Sequence, residues 1–145
     1  MIDLASPNLS SDAVIAALAL APHPEGGHYR ETWREYSSDG SRGAASAILF
    51  LLAAGEESAW HKVDAAEVWL WHAGAPLALQ ISPPRTTLEL GANLTAGQTL
   101  QGIVPAGVWQ RAWPLGSWTL VSCIVAPAFS FEGFVLAPPG WSPSG

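Results

Sequence analysis

His61-Lys62-Val63-Asp64-Ala65-Ala66-Glu67-Val68-Trp69-Leu70-Trp71-His72-Ala73-Gly74 decides the fold of this chain, together with Pro105-Ala106-Gly107-Val108-Trp109-Gln110 further on. The first stretch reduces to His-x5-Glu-x6-Gly and the second to Pro-x-Gly-x2-Gln. Side chains alternate between the two faces of a strand. On a strand over Glu67–Ala73, Glu67, Trp69 and Trp71 therefore share one face, while Val68, Leu70 and His72 take the other. His61 and Val63 share a face on the segment before it. The pattern sets a polar pair, His61 and Glu67, beside tryptophans in a β structure.

Working outward, the chain reads as short strands separated by Gly- and Pro-rich turns. Strands are expected over His28–Tyr36, Ala45–Leu52, Leu77–Ser82, Thr86–Leu90, Gln98–Val104, Val108–Trp113, Trp118–Val125 and Phe129–Leu136. Gly74-Ala75-Pro76 reads as a hairpin turn. One helix is expected, over Ala13–Leu20: Ser10, Ser11 or Asp12 caps it, Val14, Ile15 and Leu18 share a face, and Pro22 and Pro24 stop it. An all-β sandwich or barrel with a short N-terminal helix follows. Residues 1–145 read as a single domain, with a core over about 9–138 and an irregular, mobile tail over 139–145.

Composition narrows the function classes. Of 145 residues 49% are hydrophobic and 12% charged, which favours an ordered globular chain over disorder. A net charge of −6 with six Lys and Arg gives no basic face for a nucleic-acid backbone. Cys123, the single cysteine, lies in an apolar run and reads as a buried, inert thiol. The longest apolar stretch, Ala44–Ala54, is too short to span a bilayer as a helix, and no basic residue precedes Ala13–Ala21 as in a signal peptide. A cytoplasmic protein is expected, without membrane or nucleic-acid partners. The eight tryptophans point to core and subunit interface.

Four blocks together are distinctive: His23-Pro24-Glu25-Gly26-Gly27-His28-Tyr29-Arg30-Glu31; Glu67-Val68-Trp69 leading to Gly74-Ala75-Pro76-Leu77; Val104-Pro105-Ala106-Gly107-Val108-Trp109-Gln110; and Ala126-Pro127-Ala128-Phe129-Ser130-Phe131-Glu132-Gly133-Phe134. In this order they resemble the cupin-5 family (DUF985) of the cupin superfamily. The resemblance runs from the N-terminal helix to Pro138. It implies a double-stranded β-helix jelly roll, a homodimer, and kinship with sugar-nucleotide epimerases. Metal-binding cupins hold their ion with two His and a Glu from the first motif and a His from the second. Here His61 and Glu67 match, Val63 stands at the second His and Gln110 at the last.

The residues also carry a reading of their own. A transition-metal site usually needs three or more His, Cys or carboxylate ligands. His61 and Glu67 make two and Gln110 is a weak oxygen donor, so no cofactor is favoured; a divalent metal, if bound, would use those three residues. His61 and Glu67 are expected to hydrogen-bond each other, with His61 tuned as a general base by its carboxylate partner. Arg30 is the candidate anion clamp, weighed against an ordinary surface pair with Glu31. Trp69, Trp71 and Gln110 are expected to face and orient a ligand. Tyr29 is either a proton donor or a core aromatic. His23 and Glu25 read as turn residues whose polar groups satisfy the backbone. The leading function is a pocket for a sugar- or nucleotide-type small molecule, with metal-independent epimerase or isomerase activity. The alternatives are a binding module without turnover and a metal-dependent cupin enzyme with a reduced ligand set.

Overall fold

A computed structural model describes residues 1–144. Its α-helix, α1 (Ser11–Leu18), starts where the capping signal places it: the Ser10 hydroxyl accepts the N–H of Ala13. It ends before Leu20 because Ala19 adopts a left-handed conformation, φ 55°. Val14 on its inner face is fully buried against Leu51, Leu120 and Trp118.

Eleven strands follow: β1 (Ala21–Pro22), β2 (His28–Arg34), β3 (Ser46–Ala53), β4 (Ser58–Val63), β5 (Ala66–Gly74), β6 (Leu77–Ser82), β7 (Thr86–Leu90), β8 (Gln101–Val104), β9 (Trp109–Pro114), β10 (Trp118–Ala126) and β11 (Phe134–Leu136). They form a six-stranded sheet, β1-β2-β3-β10-β5-β8, and a five-stranded sheet, β11-β4-β9-β6-β7. Every ladder between these strands is antiparallel. From β3 to β6 the chain changes sheet at every connection, and it does so again from β9 to β11. That winding is the double-stranded β-helix, or jelly roll. Phe50, Leu52, Trp69, Leu77, Leu79, Leu90, Val121 and Cys123 fill the space between the sheets. Burial of this kind, at about 25 cal/mol per Å2 of apolar surface, is the main force joining the two layers.

Several local expectations change. Gly74-Ala75-Pro76 is a corner and not a hairpin, since β5 and β6 lie in different sheets. The Ala75 N–H donates to the Trp118 carbonyl at 2.7 Å, while Gly74, at φ 86°, turns the chain out of the first sheet. The hairpin is β6–β7, joined through residues 83–85. The expected strand over Phe129–Leu136 begins only at Phe134, because Ser130 caps a short 3-10 turn over Phe131–Gly133 with its hydroxyl. β8 starts three residues later than Gln98, since the Gln98 side chain is tied to Asn93 and Glu89. The described part of the tail is irregular, but it is held down. Trp141 lies against Trp109 with ring centroids 4.5 Å apart, and Arg85 donates to the carbonyl of the buried Pro143. Gly145, the last residue of that tail, lies outside the described residues.

Candidate functional site

The turn after α1 builds the first half of the site. His23 N–H donates to the Gly27 carbonyl and Gly26 N–H to the His23 carbonyl, at 2.9 and 3.0 Å. Gly26 has φ 112°, and a Cβ there would collide with the carbonyl oxygen of Glu57. The turn thus lies directly on the start of β4, where Ala59 N–H donates to the Glu25 carbonyl at 2.8 Å. This placement turns the Glu25 side chain inward. Its Oε2 accepts from the Ser58 hydroxyl at 2.5 Å and pairs with His61 Nδ1 at 2.8 Å. His61 Nδ1 also lies 2.7 Å from the Ala59 carbonyl, so Nδ1 carries a proton and Nε2 is the ring nitrogen left for other partners. His23 Nδ1 accepts the Glu25 N–H at 3.1 Å, which makes His23 the Nε2–H tautomer.

β5, β9 and β10 build the second half. Gln110 Nε2 donates to Glu67 Oε1 at 2.9 Å, and the Trp69 indole N–H donates to Gln110 Oε1 at 2.8 Å. An indole can only donate, so the amide must present its oxygen to Trp69 and its NH2 to Glu67. The Cys123 thiol lies on the same cavity as Glu67 and favours its charged form. Glu25, His61, Glu67 and Gln110 are all buried.

Glu25, His61, Glu67 and Cys123 face one cavity of about 520 Å3, part of it open to solvent. Ile48, Val63, Val125 and Tyr29 line it as well, with the aromatic cluster Phe129, Phe131 and Phe134. Phe131 is 56% exposed and marks the outer end, where Glu31 and Arg34 also stand.

Electrostatics separates the roles of the buried groups. Burial opposes the charge on His61, but Glu25 beside it, helped by Glu67 and the Ala59 carbonyl, raises its pKa to about 9. Burial likewise opposes charge on Glu25, and His61, His23 and Ser58 outweigh it, holding Glu25 below the usual carboxylate range. Glu67 has no such partner. Burial pushes it up to about 7 and Glu25 adds to the shift, with His61, Gln110 and Cys123 pulling the other way. Burial lowers His23 and, with the nearby carboxylates, raises the Cys123 thiol well above its ordinary value. At neutral pH the site holds a Glu25–His61 ion pair next to a carboxyl at its midpoint.

The residues expected from sequence divide into three groups. His61, Glu67 and Tyr29 line the cavity. Trp69 and Gln110 stand behind Glu67 and set its orientation. Trp71 and Arg30 are elsewhere. The Trp71 indole donates to the Ala75 carbonyl at 2.9 Å and the ring packs on the core. Arg30 alternates with Tyr29 and Glu31 along β2, so it faces away, exposed, with Nε donating to the Leu18 carbonyl at the end of α1. The hydrogen-bonding partner of His61 is Glu25 and not Glu67. Sequence reasoning passed over Glu25, His23, Arg34 and the three phenylalanines as site residues, although His23-Pro24-Glu25-Gly26-Gly27 carried the signal of a fixed turn.

Metal-binding cupins suggest a test of the donor set. Val63 offers no donor, and the Gln110 oxygen is committed to Trp69. Among the described residues, no group of three or more His, Cys, Asp or Glu side chains is placed to hold a metal ion. Of the four ligand positions of the metal-binding cupins, His61 and Glu67 carry ligand-type side chains here.

Residues 12–137 match the family model described as Cupin superfamily (DUF985), Cupin_5. An X-ray structure of a Shewanella oneidensis protein is 38% identical, with a TM-score of 0.84 over 90% of this chain and 85% of that one. A hypothetical protein from Leishmania major is 30% identical, with a TM-score of 0.79 over 88% and 86%. The DMSP lyase DddQ from Ruegeria pomeroyi shares the fold at 17% identity, with a TM-score of 0.63 over 95% and 75%. No curated protein matches the chain. No helix among the described residues is long and apolar enough to cross a membrane.

Proposed function

Because this chain belongs to the Cupin_5 (DUF985) family of the cupin superfamily, with the jelly-roll cavity of that fold, we propose that it binds a small carbonyl compound and shifts protons on it without a metal, as an isomerase or epimerase does. One observation carries this reading: a buried ion pair, Glu25–His61, and a separately held carboxyl, Glu67, face the same cavity. Glu67, with a pKa of about 7, exchanges a proton at neutral pH and serves as the base. His61, held as imidazolium by Glu25, presents Nε2–H to the carbonyl oxygen and stabilises the charge that develops there. This reverses the roles expected from sequence, where His61 is the base. Unphosphorylated keto sugars are one class of such carbonyl compounds.

Deuterium exchange tests it. In D2O the protein should catalyse exchange of the hydrogen next to the carbonyl of a bound ketone, and Glu67→Gln should slow this strongly while leaving binding in place. Binding with no exchange in the wild-type chain makes the protein a binding module instead.

The homodimer belongs to the same proposal. Ile103, Val68, Ile124, Ala47 and Trp33 lie side by side across β8, β5, β10, β3 and β2 on the outer face of the large sheet. Ile103 and Trp33 are 60% and 49% exposed, and the row carries no charge, so two acidic chains can meet there without repulsion. A monomer by light scattering at micromolar concentration overturns the dimer.

A further inference from the structure

Among the described residues the cations that line the cavity are already paired within the fold, and this limits what can enter. Among the described residues Arg34 is the one Lys or Arg on the lining. Its Nε and Nη2 donate to the two carboxylate oxygens of Glu31, each at 2.8 Å, and its Nη1 donates to the Phe129 carbonyl at 2.7 Å. His61 is paired with Glu25 at 2.8 Å. Arg30 points to α1 on the other side of β2. Among the described residues no uncompensated cation is therefore left on the lining for a phosphate. Much of the remaining wall is hydrocarbon. The rings of Phe129, Phe131 and Phe134 meet edge to face at 4.9 to 6.0 Å, and Ile48, Val63 and Val125 continue the surface. A phosphate dianion placed here would lose its hydration without gaining a counter-charge.

From this matched charge and apolar wall we infer that the cavity takes a compact, uncharged carbonyl compound with an aromatic or branched apolar body, and excludes sugar phosphates and nucleotide sugars. The inference rests on the proton-transfer reading for its carbonyl and on the wall for everything else. The body lies against the phenylalanines, and the carbonyl points inward to His61 Nε2. The step is balanced without an oxidant. The α-carbon–hydrogen bond breaks and the proton goes to the Glu67 carboxylate. The electron pair forms the carbon–carbon double bond, and the carbonyl oxygen takes the His61 proton. The product is the enol; Glu67 then returns a proton to the carbon framework as the enol hydroxyl gives its proton back to His61, which restores both side chains and leaves a carbonyl compound that has exchanged its hydrogen or moved its carbonyl.

Calorimetry on the full chain with phenylacetone, fructose 6-phosphate and UDP-glucose tests the ligand class. Phenylacetone should bind at least about tenfold tighter than either phosphorylated probe, the scale set by burying one aromatic ring. Phe131→Ala, at an exposed position that does not hold the fold, should weaken phenylacetone about threefold to tenfold. Glu31→Gln releases the Arg34 charge and should improve fructose 6-phosphate binding by about threefold or more. Phosphorylated probes that bind as tightly as phenylacetone, or no phenylacetone binding, overturn the inference; so does wild-type affinity in both variants. Phenylacetone that binds but shows no protein-dependent deuterium exchange supports the ligand class and overturns the isomerase reading alone.

Discussion

Gln110 replaces a ligand-type histidine with a group that cannot transfer a proton at neutral pH, yet it remains tied to Glu67, the base of the site. Its amide is read by two neighbours: the Trp69 indole fixes the oxygen, and the NH2 is thereby aimed at Glu67. Trp69→Phe removes the indole donor and frees the amide to turn its oxygen toward Glu67. The expected result is a Glu67 pKa above 7, read as an upward shift of the pH at which exchange begins. Glu67→Gln should lower the exchange rate by about 10^2- to 10^4-fold, the usual worth of a positioned base. Exchange in the wild type should rise as pH passes 7, where Glu67 ionises, and fall as it passes 9, where His61 loses its proton. A rate that is flat across this range removes both groups from the mechanism. At this scale the sequence showed which residues were polar and which shared a face. It did not show that His61 pairs with Glu25, because the two lie 36 positions apart and meet only when the turn folds onto β4.

The turn over His23–Gly27 is the element on which the site depends. Gly26 and Gly27 adopt φ 112° and 76°, and each has neighbouring atoms where a Cβ would stand. Gly26→Ala is therefore expected to destabilise the protein by about 2–4 kcal/mol, through backbone strain and the collision with Glu57. It should also release Glu25 from His61. Denaturant unfolding measures the first effect, and the NMR titration of His61 moving back toward 6.5 measures the second. By contrast Ser10→Ala, which removes the α1 cap far from the cavity, should cost about 1 kcal/mol and leave the His61 titration where it was. Strand parity identified the inward face of β5 correctly, since alternation is a local property. It could not tell a hairpin from a corner at Gly74-Ala75-Pro76, because both need the same turn residues and differ only in which sheet receives the next strand.

For the molecule as a whole, the buried ionisable groups set the pH dependence of stability. Glu67 has a folded pKa of about 7 against an ordinary 4.5, so its ionisation is disfavoured by folding. That penalty is absent below 4.5 and complete above 7. His61 is raised to about 9 from 6.5, so its contribution is complete below 6.5 and lost by about 9. Both effects make the melting temperature fall as pH rises from 5 to 9. Glu67→Gln should flatten the fall between 4.5 and 7 and leave the part above 7. A melting temperature that climbs from pH 5 to 9 contradicts these assignments. By itself the sequence determined the all-β class and the N-terminal helix and, through the ordered motifs of the family it resembles, the jelly roll. Alternation, turn residues and motif spacing are local or ordered along the chain, and they survive without coordinates. The tertiary structure alone decided the partners: Glu25 on His61, Gln110 behind Glu67, Arg34 closed on Glu31, and Arg30 turned away. Contacts between distant strands depend on the path between the two sheets, and no local pattern encodes that path.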